Sequence, residues 1–176
     1  MKTLPKKPEM PQVYLRPGEV HLANRPTVIQ TVLGSCVSVT FYNARLAVAA
    51  ICHALLPQCK EGNIRHEDGD VCFRYVDCSV VKMLDEFDGL GVPKKEIEAK
   101  IFGGANMFES GNPADESRLV GNQNIEMALK ILEGAGLRVT TSDIGGCQGR
   151  KLFFYSHTGE VFVKRLRRIE FEGSYK

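Results

Sequence analysis

A cysteine and a histidine in neighbouring apolar segments carry the first chemical signal of this chain. Cys36 follows Gly34-Ser35 in the run TVLGSCVSVTFYN, and His53 stands in LAVAAICHALL. A free thiol with a pKa of about 8.5 is only a few per cent thiolate at neutral pH, and the thiolate is the nucleophile. A histidine within reach takes the proton, leaving a thiolate–imidazolium pair. The thiolate attacks a carbonyl carbon, and the imidazolium protonates the departing amine. A buried packing cysteine needs no flexible turn before it. Gly34-Ser35 lets backbone N–H groups, that of Cys36 included, swing toward a developing oxyanion. A third group usually orients the imidazole. Thr31, just upstream of the turn, offers a hydroxyl and a carbonyl; Asp143 and Ser38 are less favoured alternatives.

Two strands have to hold this pair. VSVTFY and LAVAAIC read as the arms of a hairpin that turns at Asn43-Ala44-Arg45-Leu46. A turn centred between Ala44 and Arg45 sets Cys36 directly opposite His53, with Cβ atoms roughly 4.5–5.5 Å apart. The same register pairs Val37 with Cys52, Val39 with Ala50 and Phe41 with Val48, an apolar set suited to a core. Ser38, Thr40 and Tyr42, on the face of Cys36, oppose Ile51, Ala49 and Ala47, a mixed set. This alternation separates Cys52, a core thiol, from Cys36, an accessible one. A β-bulge would break the register.

Around the hairpin, VYL, EVHLA and TVIQTV read as further short strands. Apolar residues at helical spacing from Tyr75 to Phe87 (Val76, Val80, Met83, Leu84, Phe87) predict a helix stopped by GLGVP. IEAKIFGGANMF is a strand running into a Gly-Gly turn. Residues 122–133 place Ile125, Ala128, Leu129 and Leu132 on one face before Gly134 and Gly136, which predicts a second helix. LRVTTSDIGG, RKLFFYS and EVFVKRL close the chain as three strands. QCKEGNIRHEDGD and ESGNPADESR read as loops. Grouped strands with two helices between them predict an α+β fold of layered mixed β-sheets, in which helix 122–133 crosses between parallel neighbours. The glycines of IFGGANMF and DIGG are expected to serve tight turns with φ > 0, more than to form the rim of a site.

Composition sets the outer bounds. The 176 residues are 43% hydrophobic and 25% charged, with a net charge of +2, so neither nucleic acid nor an anionic membrane is the expected main partner. Residues 1–12 read as a disordered lead-in without the apolar core of a secretory signal, residues 13–168 as one domain, and residues 169–176 as a tail. No apolar run reaches membrane-spanning length, and a cytoplasmic protein is expected. The six cysteines contain no C-x-x-C pair, and most are expected to be small buried hydrophobes in a reducing compartment. A zinc site using Cys52, His53, Cys59 and Cys72 is a weaker reading, with His66 also in that region.

Taken in order, TVLGSCVSV, HALLP, FRYVD, AKIFGGANMF, VGNQNIEMALKIL, SDIGGCQGRKLFF and TGEVFVKRL resemble the CheD chemoreceptor glutamine deamidases, over about Thr27 to Leu166. The resemblance implies that Cys36 and His53 are the family's catalytic pair, with Thr31 fitting its third residue. It implies hydrolysis of glutamine side-chain amides on methyl-accepting chemotaxis receptors to glutamate and ammonia, with no cofactor and no metal. The implied fold is that of a cysteine hydrolase shared with deamidating bacterial toxins. The implied partners are receptor helices and, for some members, a CheC-type phosphatase. A non-catalytic adaptor for that phosphatase is the alternative function. Ala49-Ala50, Asn43, Gln123 and Cys147 depart from the usual pattern, and none of them removes the nucleophile or the base.

Overall fold

The computed structural model describes residues 10–59, 73–106 and 119–166. The described elements run β1 (Gln12–Tyr14), β2 (Val20–Ala23), β3 (Val28–Leu33), β4 (Val37–Asn43), β5 (Val48–Cys52), α1 (Val76–Gly89), a 3-10 turn (Lys94–Glu96), β6 (Glu98–Gly103), α2 (Val120–Gly134), β7 (Val139–Ile144), β8 (Arg150–Tyr155) and β9 (Val161–Arg165). The strands form two mixed sheets, one ordered β1-β3-β8-β9 and the other β2-β5-β4-β6-β7. This is the α+β layout that the grouping of strands and helices predicts. β6 and β7 pair in parallel with α2 between them, so that helix does make the expected crossover. ESGNPADESR and most of QCKEGNIRHEDGD lie outside the described residues.

Three layers result. Val76, Val80, Met83 and Phe87 of α1 and Ala128 and Leu132 of α2 pack on Val37, Val39, Phe41, Ala50, Cys52, Ala99 and Ile101 of the five-stranded sheet. Phe41 meets Phe87 edge to face at 5.6 Å between ring centroids, a contact worth ~0.5–1.5 kcal/mol beyond area burial. The other face of that sheet packs on the four-stranded sheet through Ala49, Ile51 and Phe102 against Ile29, Leu33, Leu152 and Phe154. The five-stranded sheet is therefore covered on both sides. Ser38 and Thr40, on the face expected to be mixed and accessible, are buried beneath the second sheet.

The β4–β5 hairpin pairs Thr40 with Ile51, Phe41 with Ala50 and Asn43 with Val48, and an isolated bridge joins Val37 to Ala54. The turn is thus centred between Arg45 and Leu46, one residue later than the expected centre. The pairing is displaced by two residues, so Cys36 is not directly opposite His53. The cause is local. Asn43 Oδ1 accepts the Leu46 N–H at 2.8 Å, and Ala47 takes a positive φ of 51°, so the loop between Asn43 and Val48 is two residues longer than expected. Asn43 Nδ2 also donates to Glu96 O at 3.1 Å. An aspartate at this position, the usual residue in the resemblance, has no donor for that bond. A shift of two preserves the alternation of faces. Cys36 and His53 stay on one face as diagonal neighbours, and Cys52 stays on the other.

Candidate active site

Thr31 points inward from β3, where it pairs with Leu152 of β8. It is fully buried. His53 lies one residue beyond β5. Its N–H donates to Glu19 O at 2.9 Å and its carbonyl accepts the Gly18 N–H at 2.7 Å. With the backbone fixed on that side, the imidazole reaches across the gap between the sheets.

There Thr31 Oγ1 lies 2.7 Å from His53 Nδ1 and 2.9 Å from the Leu15 carbonyl. The three groups fix one another's roles. A carbonyl only accepts, so the single hydroxyl proton of Thr31 goes to Leu15 O. Thr31 Oγ1 then accepts from Nδ1–H, which leaves the lone pair of the neutral ring on Nε2. That nitrogen is buried and has no hydrogen-bond partner. A buried polar atom without a partner costs ~1–3 kcal/mol, the kind of cost that functional sites carry.

Cys36 is half-buried and packs against Leu33, Phe102 and Leu152. Backbone bonds hold its loop: Gly104 N–H donates to Cys36 O and Ala105 N–H to Gly34 O, each at 2.8 Å. The close approach of β6 requires glycine. A Cβ on Gly103 would fall 2.2 Å from Cys36 O, and its φ of 105° is a conformation L side chains rarely adopt. So IFGG serves a turn, and that turn also walls the cysteine loop.

Burial pushes the Cys36 thiol above its ordinary value, partly offset by its own N–H. Burial also pushes His53 below the ordinary histidine value, offset by the Leu15 carbonyl and by Glu19. Both directions favour a neutral thiol and a neutral imidazole at rest over a preformed ion pair, and no hydrogen bond joins Cys36 Sγ to His53 Nε2. Cys52 is fully buried and pushed up to about 11 by burial. Cys78 is pushed up to about 12, first by burial and then by the Asp77 carboxylate. Cys147 is exposed.

The less favoured orienting residues are engaged elsewhere. Ser38 Oγ donates to Cys52 O at 2.6 Å. The Asp143 carboxylate is held by Arg150 and Arg165, each at 2.8 Å. Cys52 accepts the Val39 N–H on the face away from His53, which separates two members of the suggested zinc set. Among the described residues no group of three or more His, Cys, Asp or Glu side chains comes together as metal ligands. Cys72 and His66 lie outside the described residues.

One buried side chain escaped the reading of the sequence. Asn124 of α2 donates through Nδ2 to Ser35 O at 3.0 Å and to Leu55 O at 2.9 Å. It lies on the buried stripe with Gly121, Ala128 and Leu132. An asparagine on the apolar face of an amphipathic helix is the signal that points to it.

Comparison with known proteins decides the lineage. The family described as "CheD chemotactic sensory transduction" matches residues 55–165. A protein of Geobacter sulfurreducens named "Probable chemoreceptor glutamine deamidase CheD 2" is 48% identical over 165 residues, covering 93% of this chain and 95% of its own length. This chain belongs to the CheD family. A CheD of Maridesulfovibrio salexigens, also named a probable chemoreceptor glutamine deamidase, is 39% identical over 161 residues, 91% of this chain and 95% of its own. A similarly named CheD from Thermococcus kodakarensis is 34% identical over 150 residues, 85% of this chain and 89% of its own. No helix among the described residues is long and apolar enough to cross a membrane.

Proposed function

We propose that this chain is a cysteine-dependent deamidase that converts glutamine side chains of chemotaxis receptors to glutamate, with Cys36 as nucleophile, His53 as base and Thr31 as the residue that orients His53. The observation that carries this reading is His53 Nε2, a buried lone pair without a partner whose tautomer follows from the Thr31–Leu15 bond, on the strand face that also bears Cys36. The names of the relatives supply the substrate class.

The thiol and the imidazole rest neutral, so the proton moves as the bond forms. The Cys36 S–H proton passes to His53 Nε2 while sulfur bonds to the glutamine carboxamide carbon. Gly34 and Ser35 form the turn, and the Cys36 N–H faces the oxygen of the tetrahedral intermediate. The carbon–nitrogen bond breaks, the imidazolium protonates the nitrogen, and ammonia leaves a thioester. Water then attacks that carbon, giving a proton to His53. The carbon–sulfur bond breaks, the thiolate recovers the proton, and glutamate is released.

Mass spectrometry of a receptor cytoplasmic fragment tests this reading. Wild type is expected to raise a glutamine-containing peptide by about one dalton, the change of an amide to an acid, and Cys36→Ala is expected not to. Undiminished conversion by Cys36→Ala would sink the mechanism. Tight binding of a CheC-type phosphatase by both proteins, with no conversion by either, would favour the adaptor function.

A further inference from the structure

The Asn124 amide makes two bonds, and they fall on either side of the candidate site. Ser35 O belongs to the peptide that joins Ser35 to Cys36. Leu55 O lies just past His53. Both acceptors are carbonyls, so the NH2 group of Asn124 must face them and both of its hydrogens are used. Its Oδ1 is left buried without a partner. A side chain with no exposed surface that carries this cost is held in place by what its amide does.

In a planar trans peptide the carbonyl and the N–H point in opposite directions. Drawing Ser35 O toward α2 therefore turns the Cys36 N–H away from α2, to the side of the sulfur. Among the described residues that N–H meets no acceptor other than its own Sγ. By contrast, the carbonyls of Gly34, Ser35 and Cys36 are all taken, by Ala105, Asn124 and Gly104. The loop thus has its acceptors satisfied inward and one donor aimed where a scissile carbonyl meets the thiol.

We infer that Asn124 is a positioning residue for the oxyanion donor: by fixing the Ser35–Cys36 peptide it aims the Cys36 N–H at the oxygen of the tetrahedral intermediate. The inference rests on Cys36 being the nucleophile. His53 does not depend on Asn124, because Gly18, Glu19 and Thr31 hold it independently. Loss of Asn124 should therefore spare proton removal from the thiol and impair acyl chemistry alone.

The test uses that division. Iodoacetamide alkylates a thiolate by displacement at saturated carbon, which develops no oxyanion. Deamidation develops one. In the full chain, Asn124→Leu keeps the approximate size of the side chain and removes both donors without adding a charge. Its kcat on a receptor cytoplasmic fragment is expected to fall about 10- to 100-fold with KM within about twofold, since an oxyanion contact acts in the transition state. Alkylation of Cys36, followed on its own peptide by mass spectrometry from pH 6 to 10, is expected to keep its rate within about threefold and its pH midpoint. Asn124→Ser, with one short donor, covers the case in which the Leu variant does not fold. Unchanged kcat overturns the inference. So does a parallel loss of alkylation and deamidation with a lower melting temperature, which marks a purely structural role. Failure of the underlying reading looks different, because Cys36→Ala would then still deamidate.

Discussion

At the scale of single residues, a hydroxyl proton that can go in only one direction decides the chemistry of the histidine. Thr31 is at once donor to Leu15 O and acceptor for His53 Nδ1. Thr31→Val keeps the shape and removes the oxygen, leaving two buried polar groups unpaired at a cost of ~1–3 kcal/mol. The proposal expects a kcat on receptor fragment roughly 10- to 100-fold lower, together with a lower melting temperature. Thr31→Ser keeps the oxygen and should retain most of the activity. Equal activity in Val and Ser variants, by ammonia release, would remove Thr31 from the mechanism. Thr31 was open to reading from the sequence because it stands beside the Gly34-Ser35 turn. Asn124 stands out only as an asparagine on an apolar helix face, and its partners do not show, because they are backbone carbonyls that leave no trace in residue types.

At the scale of elements, side-chain alternation was readable and strand register was not. Parity along β4 and β5 follows from the order of apolar and polar residues, and it sorted Cys36 from Cys52 correctly. The register depends on the length of the loop, two residues more than expected and set by the Asn43–Leu46 bond and the positive φ of Ala47, and neither shows in a hydrophobic pattern. The pairing of β4 with β6 brings the second constraint. Gly103→Ala would press a Cβ against Cys36 O in a backbone region that costs ~1–3 kcal/mol for residues other than glycine. Gly91, also at positive φ, has no neighbour within 4 Å of such a Cβ. Both alanine variants should melt lower, but only Gly103→Ala should abolish deamidation. Full activity in Gly103→Ala, measured on the same receptor fragment, would contradict the close approach of β6 to the cysteine loop.

At the scale of the whole molecule, burial of His21 and His53 ties stability to pH. Burial is the first cause that pushes each below the ordinary histidine value. Between those lowered values and about pH 6.5 the unfolded chain holds protons that the folded chain has released. Stability therefore rises with pH across that window. The contribution is complete above about pH 6.5 and declines as the pH falls through the window. Urea midpoints should be lower at pH 5 than at pH 7.5, and the double variant His21→Gln/His53→Gln should show a shallower decline. An equally steep decline in that variant would assign the effect to other groups. The layered sheets and both helices were legible from periodicity. The covering of the five-stranded sheet on both faces was not, because local pattern does not reveal which sheet docks on which.

The four-stranded sheet also has a history in time. β3, which carries Thr31, takes its antiparallel neighbour from β8 near the end of the described chain, and β8 is in turn flanked by β9. During synthesis β3 has only the three-residue parallel strand β1 beside it, and so short a ribbon does not persist alone in water. Under the proposed chemistry, Cys36 and His53 leave the ribosome long before the strand that seats Thr31 is locked down. Under that chemistry the nascent chain is inert toward its substrate until Leu152 and its neighbours emerge, and competence arrives with β8 and β9.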